Sequence, residues 1–386
     1  MIRVGIIGTG GISRAHILGY QQFPDDCRIV AVCDIILARA ERAGHELGPD
    51  VRVYQCHADM LAAKDLDLVS IATPPATHAP ITVDCLDAGV NVLVEKPMAP
   101  SLEECDAMLA AQRRSGKLLS VVAQNRFRDD MALLKEAIGS GLIGEITHMQ
   151  VNSSWWRGKP YYDLSWRGTW ASEGGGCTLN HAVHHIDLAL WMAGRPSSVT
   201  AVLANAAHDN SEVEDLSVAI LQLGRGLATI TSSVVDQGEE QSIIVYGEKA
   251  RVSQPWKVVT AVPQPNGFPA PGGDPELAAQ LEAIAANHQP LPHEGHTGQI
   301  GDVLEAVRDS RTPAITGGDG RSAIELITAI YESGNEHRTV NLPLTSDDPY
   351  YHAGELPKRA HHFFEKQNSV DDQAGFIIVG ASPDPA

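Results

Sequence analysis

Hydrophobic positions in the first 123 residues fall in short unbroken runs separated by longer amphipathic stretches. Residues 2–7 (IRVGII), 28–33 (RIVAVC), 67–72 (DLVSIA), 90–94 (VNVLV) and 118–122 (LLSVV) read as strands buried on both faces. The stretches 12–22, 78–88 and 101–115 read as helices between them. Such alternation predicts a parallel, doubly wound sheet with ligands at the carboxyl ends of its strands. After residue 123 the pattern changes. Residues 145–156, 197–206, 213–222, 226–235, 240–246 and 249–253 read as strands, several joined by glycine-containing turns. A helix is predicted from about Cys177, with Leu179, Val183, Ile186 and Leu190 as its core stripe.

A chain of 386 residues suits two domains. Its 43% hydrophobic and 20% charged residues are ordinary for a soluble globular protein. A net charge of −19 repels nucleic acid and anionic membranes, so neither is expected as a partner. No apolar run approaches the roughly 18 residues of a membrane span, and the start, MIRVGIIGTGG, does not read as a signal peptide. The six cysteines, at 27, 33, 56, 85, 105 and 177, show no paired spacing. They read as reduced thiols, and the cytoplasm is the expected compartment. Residues 263–275 form a Pro/Gly-rich loop, and the polar tail 345–386 is expected to pack loosely or to mediate subunit contacts.

The first strand ends in Gly8-Thr9-Gly10-Gly11-Ile12-Ser13, a helix follows, and the second strand ends at Asp34. This is the order a dinucleotide-binding Rossmann unit needs. Gly8 makes the tight turn, and Gly10 lets backbone approach a pyrophosphate. The N–H groups around Gly11, Ile12 and Ser13 offer the positive end of a helix dipole. Ser13 replaces the third glycine of the fingerprint and is small enough for close helix–strand packing. Asp34 would accept from the adenosine ribose hydroxyls and repel a 2′-phosphate. Ile35 and Ile36 supply no cation there, so NAD is expected over NADP, with Arg39 as the feature against. Two further strand-end loops stand out, Thr73-Pro74-Pro75-Ala76-Thr77-His78 and Glu95-Lys96-Pro97.

With Glu95-Lys96-Pro97 the chain resembles the glucose–fructose oxidoreductase / inositol dehydrogenase (Gfo/Idh/MocA) family. The resemblance runs from residue 1 to about 344 and rests on motifs in order. They are GIIGTGGIS, the TPPATH loop, AGVNVLVEKP, QNRF at 124–127, GEITHMQV at 144–151, GGGCTLNHAVHHIDLALW at 174–191, TPAITG at 312–317 and SAIELITAIYES at 322–333. It implies a Rossmann domain over 1–123 and a substrate-binding and oligomerisation domain over 124–344. That second domain would have an open, mostly antiparallel sheet with helices on one face. The expected fold class is therefore α/β followed by α+β. In such relatives the outer face of that sheet makes dimers or tetramers. The segment 155–176 resembles a subgroup acting on sugars, cyclitols and nucleotide sugars.

The resemblance also implies roles. Lys96 would contact the reacting hydroxyl, and partial desolvation beside a nicotinamide would lower its pKa for proton transfer. His184 would be general base in oxidation or acid in reduction. Asn180, His184 and Asp187 fall at i, i+4 and i+7 and so share a helix face. Many relatives carry Asp where Asn180 stands, which shifts weight onto Lys96 and His184. The strand-end loops add Thr73, Pro74, Pro75, His78, Glu95, Lys96 and Gln124 to the cofactor-facing set. His181, His184 and His185 lack the further ligands a metal site requires, so no metal is expected, but His181 is placed near substrate.

Trp155, Trp156, Trp166 and Trp170 cluster with Tyr161, Tyr162, Arg157, Lys159, Asp163 and Arg167. Aromatic faces stack on sugar C–H faces, though core or subunit packing explains each tryptophan equally well. Arg167 is the first choice for a substrate or nicotinamide contact, followed by Tyr162 and Trp166, with Arg126 lining the same cleft. Gly174-Gly175-Gly176 reads as a close backbone approach to a ligand, and His208 and Asp209 as solvated loop residues. The expected reaction is hydride transfer between nicotinamide and a secondary alcohol carbon of a sugar, glycoside, cyclitol or nucleotide sugar. The expected assembly is a homodimer or homotetramer. The alternatives are an NAD-dependent glycosidase that oxidises its sugar transiently, and a non-enzymatic nucleotide sensor. The leading reading needs the Lys96 loop and the His184 helix to face one cleft.

Overall fold

A computed structural model describes residues 1–370. They divide into two compact units, each built around its own sheet. The first comprises Met1–Glu136, Ala283–Glu325 and Thr345–Ala353. Its strands are β1 (Ile2–Ile7), β2 (Cys27–Cys33), β3 (Arg52–Tyr54), β4 (Leu68–Ile71), β5 (Asn91–Val94) and β6 (Leu119–Val121), ordered β3-β2-β1-β4-β5-β6 and all parallel. This is the doubly wound sheet that the alternating pattern predicts. Its central strands are buried on both faces, which is why they read as unbroken apolar runs.

Local chemistry sets the helices between them. Ser101 opens helix Leu102–Ser115 with a reciprocal cap: its hydroxyl accepts from the Glu104 amide and donates to the Glu104 carboxylate. Gly116 closes the helix in the left-handed region at φ 66°. Helix Gly295–Asp309, drawn from far along the chain, sends Ile300, Val303 and Leu304 into the core formed by Val4, Ile6, Tyr20, Val32, Leu68 and Leu93. The sequence reading did not include that helix, nor the helices Leu37–Leu47 and His57–Ala62 or the short strand β3.

The second unit comprises Ala137–Glu282, Leu326–Leu344 and the described residues from Gly354 onward. Its strands are β7 (Ile146–Ser154), β8 (Ser198–Ala204), β9 (Leu216–Leu223), β10 (Gly226–Ser233), β11 (Ser242–Gly247), β12 (Ala250–Gln254), β13 (Lys257–Thr260) and β14 (Val340–Asn341). The order is β13-β12-β11-β7-β10-β9-β8-β14, antiparallel except for the parallel pair β7–β10. The mostly antiparallel open sheet is as expected, with β13 and β14 added to the predicted strands. One face buries Met149, Val151, Ala219, Leu221, Ala228, Ile230, Ile243 and Val245 beside the helical segment 177–193. The other leaves Val202, Val218, Ile220 and Leu227 exposed, at 65%, 43%, 47% and 45%.

Two expectations are corrected. The helix predicted from Cys177 is not continuous: Cys177–Asn180 ends before Val183–Ala193 begins, with His181 and Ala182 between. Asn180 and His184 therefore do not lie on one unbroken helical ladder. The tail does not pack loosely where it is described. Tyr350 is buried, Tyr351 donates to Asp106, and the 361–370 segment is hydrogen-bonded into the second unit. The rest of the predicted tail, 371–386, lies outside the described residues.

Candidate functional site

In the first unit the predicted residues gather where the strands end. Gly8 follows β1 at φ +88°, and a Cβ there would stand 2.5 Å from the Ala72 carbonyl oxygen, so only glycine fits the turn. Gly10, Gly11 and Ile12 are exposed, and a Cβ on either glycine would meet nothing within 4 Å. The amide edge of the turn is open, ahead of helix Ser13–Tyr20. Ser13 is buried and donates to the Gly10 carbonyl at 2.6 Å. Asp34 follows β2. Its carboxylate accepts from the Thr9 amide (2.9 Å), the Thr9 hydroxyl (3.0 Å) and the Ile36 amide (2.9 Å). The acid thus braces the glycine turn itself, a contact the sequence reading did not include. Ile35, Ile36 and Arg39 are exposed beyond it. An open amide edge, an obligatory glycine and an acid at the next strand end fit a dinucleotide.

Thr73, Pro74 and Pro75 follow β4 in a short turn held by Thr77, whose hydroxyl donates to Thr73 and to the Pro74 carbonyl. His78 is buried, with one ring nitrogen 2.8 Å from the Pro97 carbonyl oxygen and the other 2.8 Å from that of Thr73. Its expected place facing the cofactor is corrected: the ring staples two strand-end loops together. Gln124 follows β6, and its side-chain oxygen is buried with no partner among the described residues, an orphan acceptor at the same end of the sheet. Arg126 is buried and ion-paired with Asp319 at 3.2 Å, so its charge is already matched within the unit.

Glu95 and Lys96 follow β5. Glu95 is buried, and one carboxylate oxygen faces His16 Nε2 at 2.9 Å and His296 Nε2 at 3.2 Å. The other accepts from the Lys96 amide at 3.1 Å. His16 continues to Ser70 at 3.1 Å, and Ser70 to Tyr20 at 2.8 Å. Burial pushes the Glu95 carboxyl up, but the hydrogen bonds and charge of the two imidazoles outweigh it and hold the group well below the ordinary carboxylate range. Lys96 is half-buried, in a loop whose Lys96–Pro97 bond is cis. Sequence reasoning missed His16 and His296. A histidine on the inward face of the first helix was the available signal for one; nothing local marks the other. These three donor groups lie close enough together to hold a metal ion, and their hydrogen bonds to one another give each a partner without one.

In the second unit Arg167 is flanked by aromatic rings, its guanidinium carbon 4.0 Å from the Tyr161 ring centroid and 3.9 Å from that of Trp166. It is ion-paired with buried Glu173 at 2.7 Å, whose other oxygen accepts from the Gly168 amide at 2.7 Å. Burial raises the Glu173 pKa against the pull of Arg167. Trp166 is 49% exposed and offers a free face. The expectation for Tyr162 is corrected: its ring is buried against Tyr161 and His208 and open to no ligand. His208 is likewise buried rather than solvated, held by Asp215 at 2.8 Å and the Arg157 carbonyl at 2.9 Å. Asp209 is exposed and pairs with Lys159.

Asn180 donates to the carbonyls of Gly175 (2.7 Å) and Gly176 (3.3 Å), bracing the glycine run from below. That run needs glycine because a Cβ on Gly176 would collide with the Glu214 backbone and one on Gly175 with the Tyr331 hydroxyl. The close approach is to the protein's own chain, which corrects the ligand reading of these glycines. Glu214 is fully buried and accepts from the amides of Gly176 (3.1 Å) and Thr178 (3.0 Å) and from Tyr331 (2.9 Å). His181 meets the Tyr161 hydroxyl at 3.4 Å, and His184 is half-buried at the start of helix Val183–Ala193. Lys96 belongs to the first unit and His184 to the second.

A Rossmann unit with an open glycine turn, joined to a unit with an open mixed sheet, defines the architecture of a two-domain nucleotide-dependent oxidoreductase. Residues 2–123 match the domain described as "Oxidoreductase family, NAD-binding Rossmann fold", and residues 131–253 match the "GFO/IDH/MocA C-terminal domain". The chain belongs to the Gfo/Idh/MocA oxidoreductase family. It is 26% identical over 360 residues to the scyllo-inositol 2-dehydrogenase (NADP(+)) of Bacillus subtilis, covering 88% of this chain and 96% of that one. It is 27% identical over 348 residues to the inositol 2-dehydrogenase of Rhizobium meliloti, covering 88% and 99%. Among solved structures it is similar to the WlbA dehydrogenase of Bordetella pertussis in complex with NADH and UDP-GlcNAcA. That match has 32% identity and a TM-score of 0.75, and covers 89% of this chain and 98% of that one.

Burial pushes the Glu214 carboxyl from its ordinary 4.5 up to about 7. A raised folded-state value means that this group's contribution to stability is present below about 4.5 and lost as pH rises through about 7. The melting temperature of Glu214→Gln, measured relative to the parent chain, should therefore climb between about pH 5 and pH 8. A flat or falling difference would remove Glu214 as the titrating group beneath the glycine run.

Proposed function

We propose that this protein is an NAD-dependent dehydrogenase acting on a secondary alcohol carbon of a sugar, glycoside, cyclitol or nucleotide sugar. The observation that carries the reading is the open amide edge of the Gly8–Gly11 turn, braced from beneath by Asp34 at the end of the next strand. The amides of Gly10, Gly11, Ile12 and Ser13 would hold the pyrophosphate at the positive end of the first helix. Asp34 keeps lone pairs for a ribose and sets a negative charge against a 2′-phosphate, and exposed Ile35 and Ile36 offer that phosphate no cation. NAD is therefore favoured, although one relative is named for NADP(+). Thr73, Pro74, Gln124 and Glu95 border the same strand ends.

Bound nicotinamide supplies the hydride acceptor or donor. Lys96 and His184 handle the proton: one takes it from the reacting hydroxyl on oxidation and returns it on reduction. Holding the reacting carbon and the proton acceptor in place is the larger part of the catalysis asked of the protein. Trp166 and Arg167, with His181 and Asn180, form the carbohydrate contact. A ring polyol substrate is supported by the inositol dehydrogenases, and a nucleotide sugar by the solved structure that contains UDP-GlcNAcA. Free thiols at all six cysteines support a reducing, cytoplasmic compartment. The exposed apolar row Val202, Val218, Ile220 and Leu227 supports a homodimer or homotetramer formed through the outer sheet face.

Lys96→Ala and His184→Ala should each lower kcat/KM on a polyol and nucleotide-sugar panel by about 10²–10⁴-fold. The NAD dissociation constant, read by fluorescence titration, should stay within about threefold, because neither side chain holds the phosphates. Near-parental turnover in both variants would remove the assignment. Asp34→Ala should weaken NAD and narrow its advantage over NADP; an unchanged ratio of kcat/KM values counts against the acid's role. Ile220→Lys should shift the solution mass by light scattering toward monomer, and an unaltered oligomer would place the interface elsewhere.

A further inference from the structure

The loop that carries Tyr161, Trp166 and Arg167 has little regular structure of its own: a 3-10 turn at Lys159–Asp163 and then irregular chain. Its stability must come from contacts. One set is made by a segment well over a hundred residues further on. The Val370 amide donates to the Asp163 carbonyl and the Ser165 amide to the Val370 carbonyl, both at 2.8 Å, adding a short parallel bridge to the loop's edge. Lys366 Nζ donates to the carbonyls of Tyr162 and Leu164, the latter at 3.1 Å, where the 3-10 turn ends.

Asn210 joins the two. It is 9% exposed, and its oxygen accepts from the amides of Gln367 (2.7 Å) and Asn368 (2.9 Å). Its amide nitrogen donates to Asp163 Oδ1 at 2.8 Å on the loop and to the Asn368 carbonyl at 3.0 Å on the segment. One buried side chain therefore uses both its acceptor and its donors to tie the loop and the segment to each other. Further back the segment is moored to the body of the unit: His361 accepts at its carbonyl from the Trp170 indole (3.1 Å) and donates its amide to Asn335 (2.8 Å), and Phe363 donates its amide to the Glu212 carbonyl (3.0 Å).

We infer that residues 361–370 form an intramolecular clamp, with Asn210 and Lys366 as its positioning residues, that fixes the Tyr161–Arg167–Trp166 platform and so sets carbohydrate specificity. The inference rests on the proposed function for the platform being a substrate contact. Arg167 lies between two rings and is neutralised by buried Glu173, so its value to a ligand is geometric, and geometry is what a clamp supplies.

The test uses the full-length protein with Lys366→Met, Lys366→Arg, Asn210→Ala and Asn210→Asp. Hydrogen–deuterium exchange of the amides in 159–168 reads the clamp without any substrate. Steady-state kinetics on inositols, free sugars and UDP-sugars at saturating NAD read specificity. The expected result for Lys366→Met and Asn210→Ala is faster exchange confined to that loop. KM should rise about tenfold and unequally across the panel, with kcat and NAD affinity close to parental. Lys366→Arg, which keeps a donor, should restore most of the effect. Asn210→Asp, which sets a carboxylate against Asp163, should behave like Asn210→Ala. Unchanged exchange in both Lys366→Met and Asn210→Ala overturns the clamp, and so does faster exchange with the KM pattern intact. A parent chain that turns over nothing in the panel sinks the dehydrogenase reading instead, and the exchange result alone then decides the clamp.

Discussion

A carboxylate removed from water must be matched by donors or it will not stay ionised, and that constraint governs the first unit. Glu95 sits at the carboxyl end of β5 with no solvent to stabilise it. It is held by His16 from the first helix, by His296 from a helix two hundred residues later, and by the amide of its own neighbour Lys96. Losing one partner of a buried charge costs about 3–5 kcal/mol, because the remaining charge is left unpaired. The network therefore locks together the glycine turn's helix, the Lys96 loop and helix Gly295–Asp309. The proposed proton-handling lysine is carried on a backbone that two distant helices position.

The second unit also orders its irregular segments with buried acids, although there burial outweighs the donors at Glu173 and Glu214 and raises both carboxyls. Glu214 gathers the amides of Gly176 and Thr178 and the Tyr331 hydroxyl, Glu173 holds Arg167 and the Gly168 amide, and Asp215 holds His208. None of these segments has enough regular structure to be rigid by backbone pairing. Buried acids and one buried asparagine supply the order that a helix or sheet would otherwise give. Sites held this way are preorganised, and preorganisation is what hydride transfer between two bound partners requires.

Much of the fold was legible because its signals are local. Five of the six strands of the first unit were visible as apolar runs, since a parallel sheet covered on both faces leaves no polar alternation to confuse them; β3, three half-buried residues at the sheet's edge, was not. Helix Leu102–Ser115 was legible as the amphipathic stretch 101–115, and its caps at Ser101 and Gly116 stand where that stretch begins and ends. The glycine turn and Asp34 were legible because φ +88° at Gly8 admits only glycine. Misreadings came where one residue type serves two environments. Tyr162 looks like a substrate contact and His208 like a solvated loop residue, yet the two are packed against one another, and His78 looks like a ligand contact and is a staple. The helix from Cys177 is broken at His181–Ala182, although its apolar spacing continues across the break.

The sequence by itself determined the main strands of both sheets, the glycine turn and the family, because each rests on short motifs whose residues lie within a few positions of one another. Only the tertiary structure decided which polar residues are buried and what they hold. It brought His296 to Glu95, Asn210 to Asp163 and Lys366 to the end of the 3-10 turn. Burial and pairing are properties of space. No periodicity or spacing along a chain records which distant side chain will meet an acid once water has been excluded from around it.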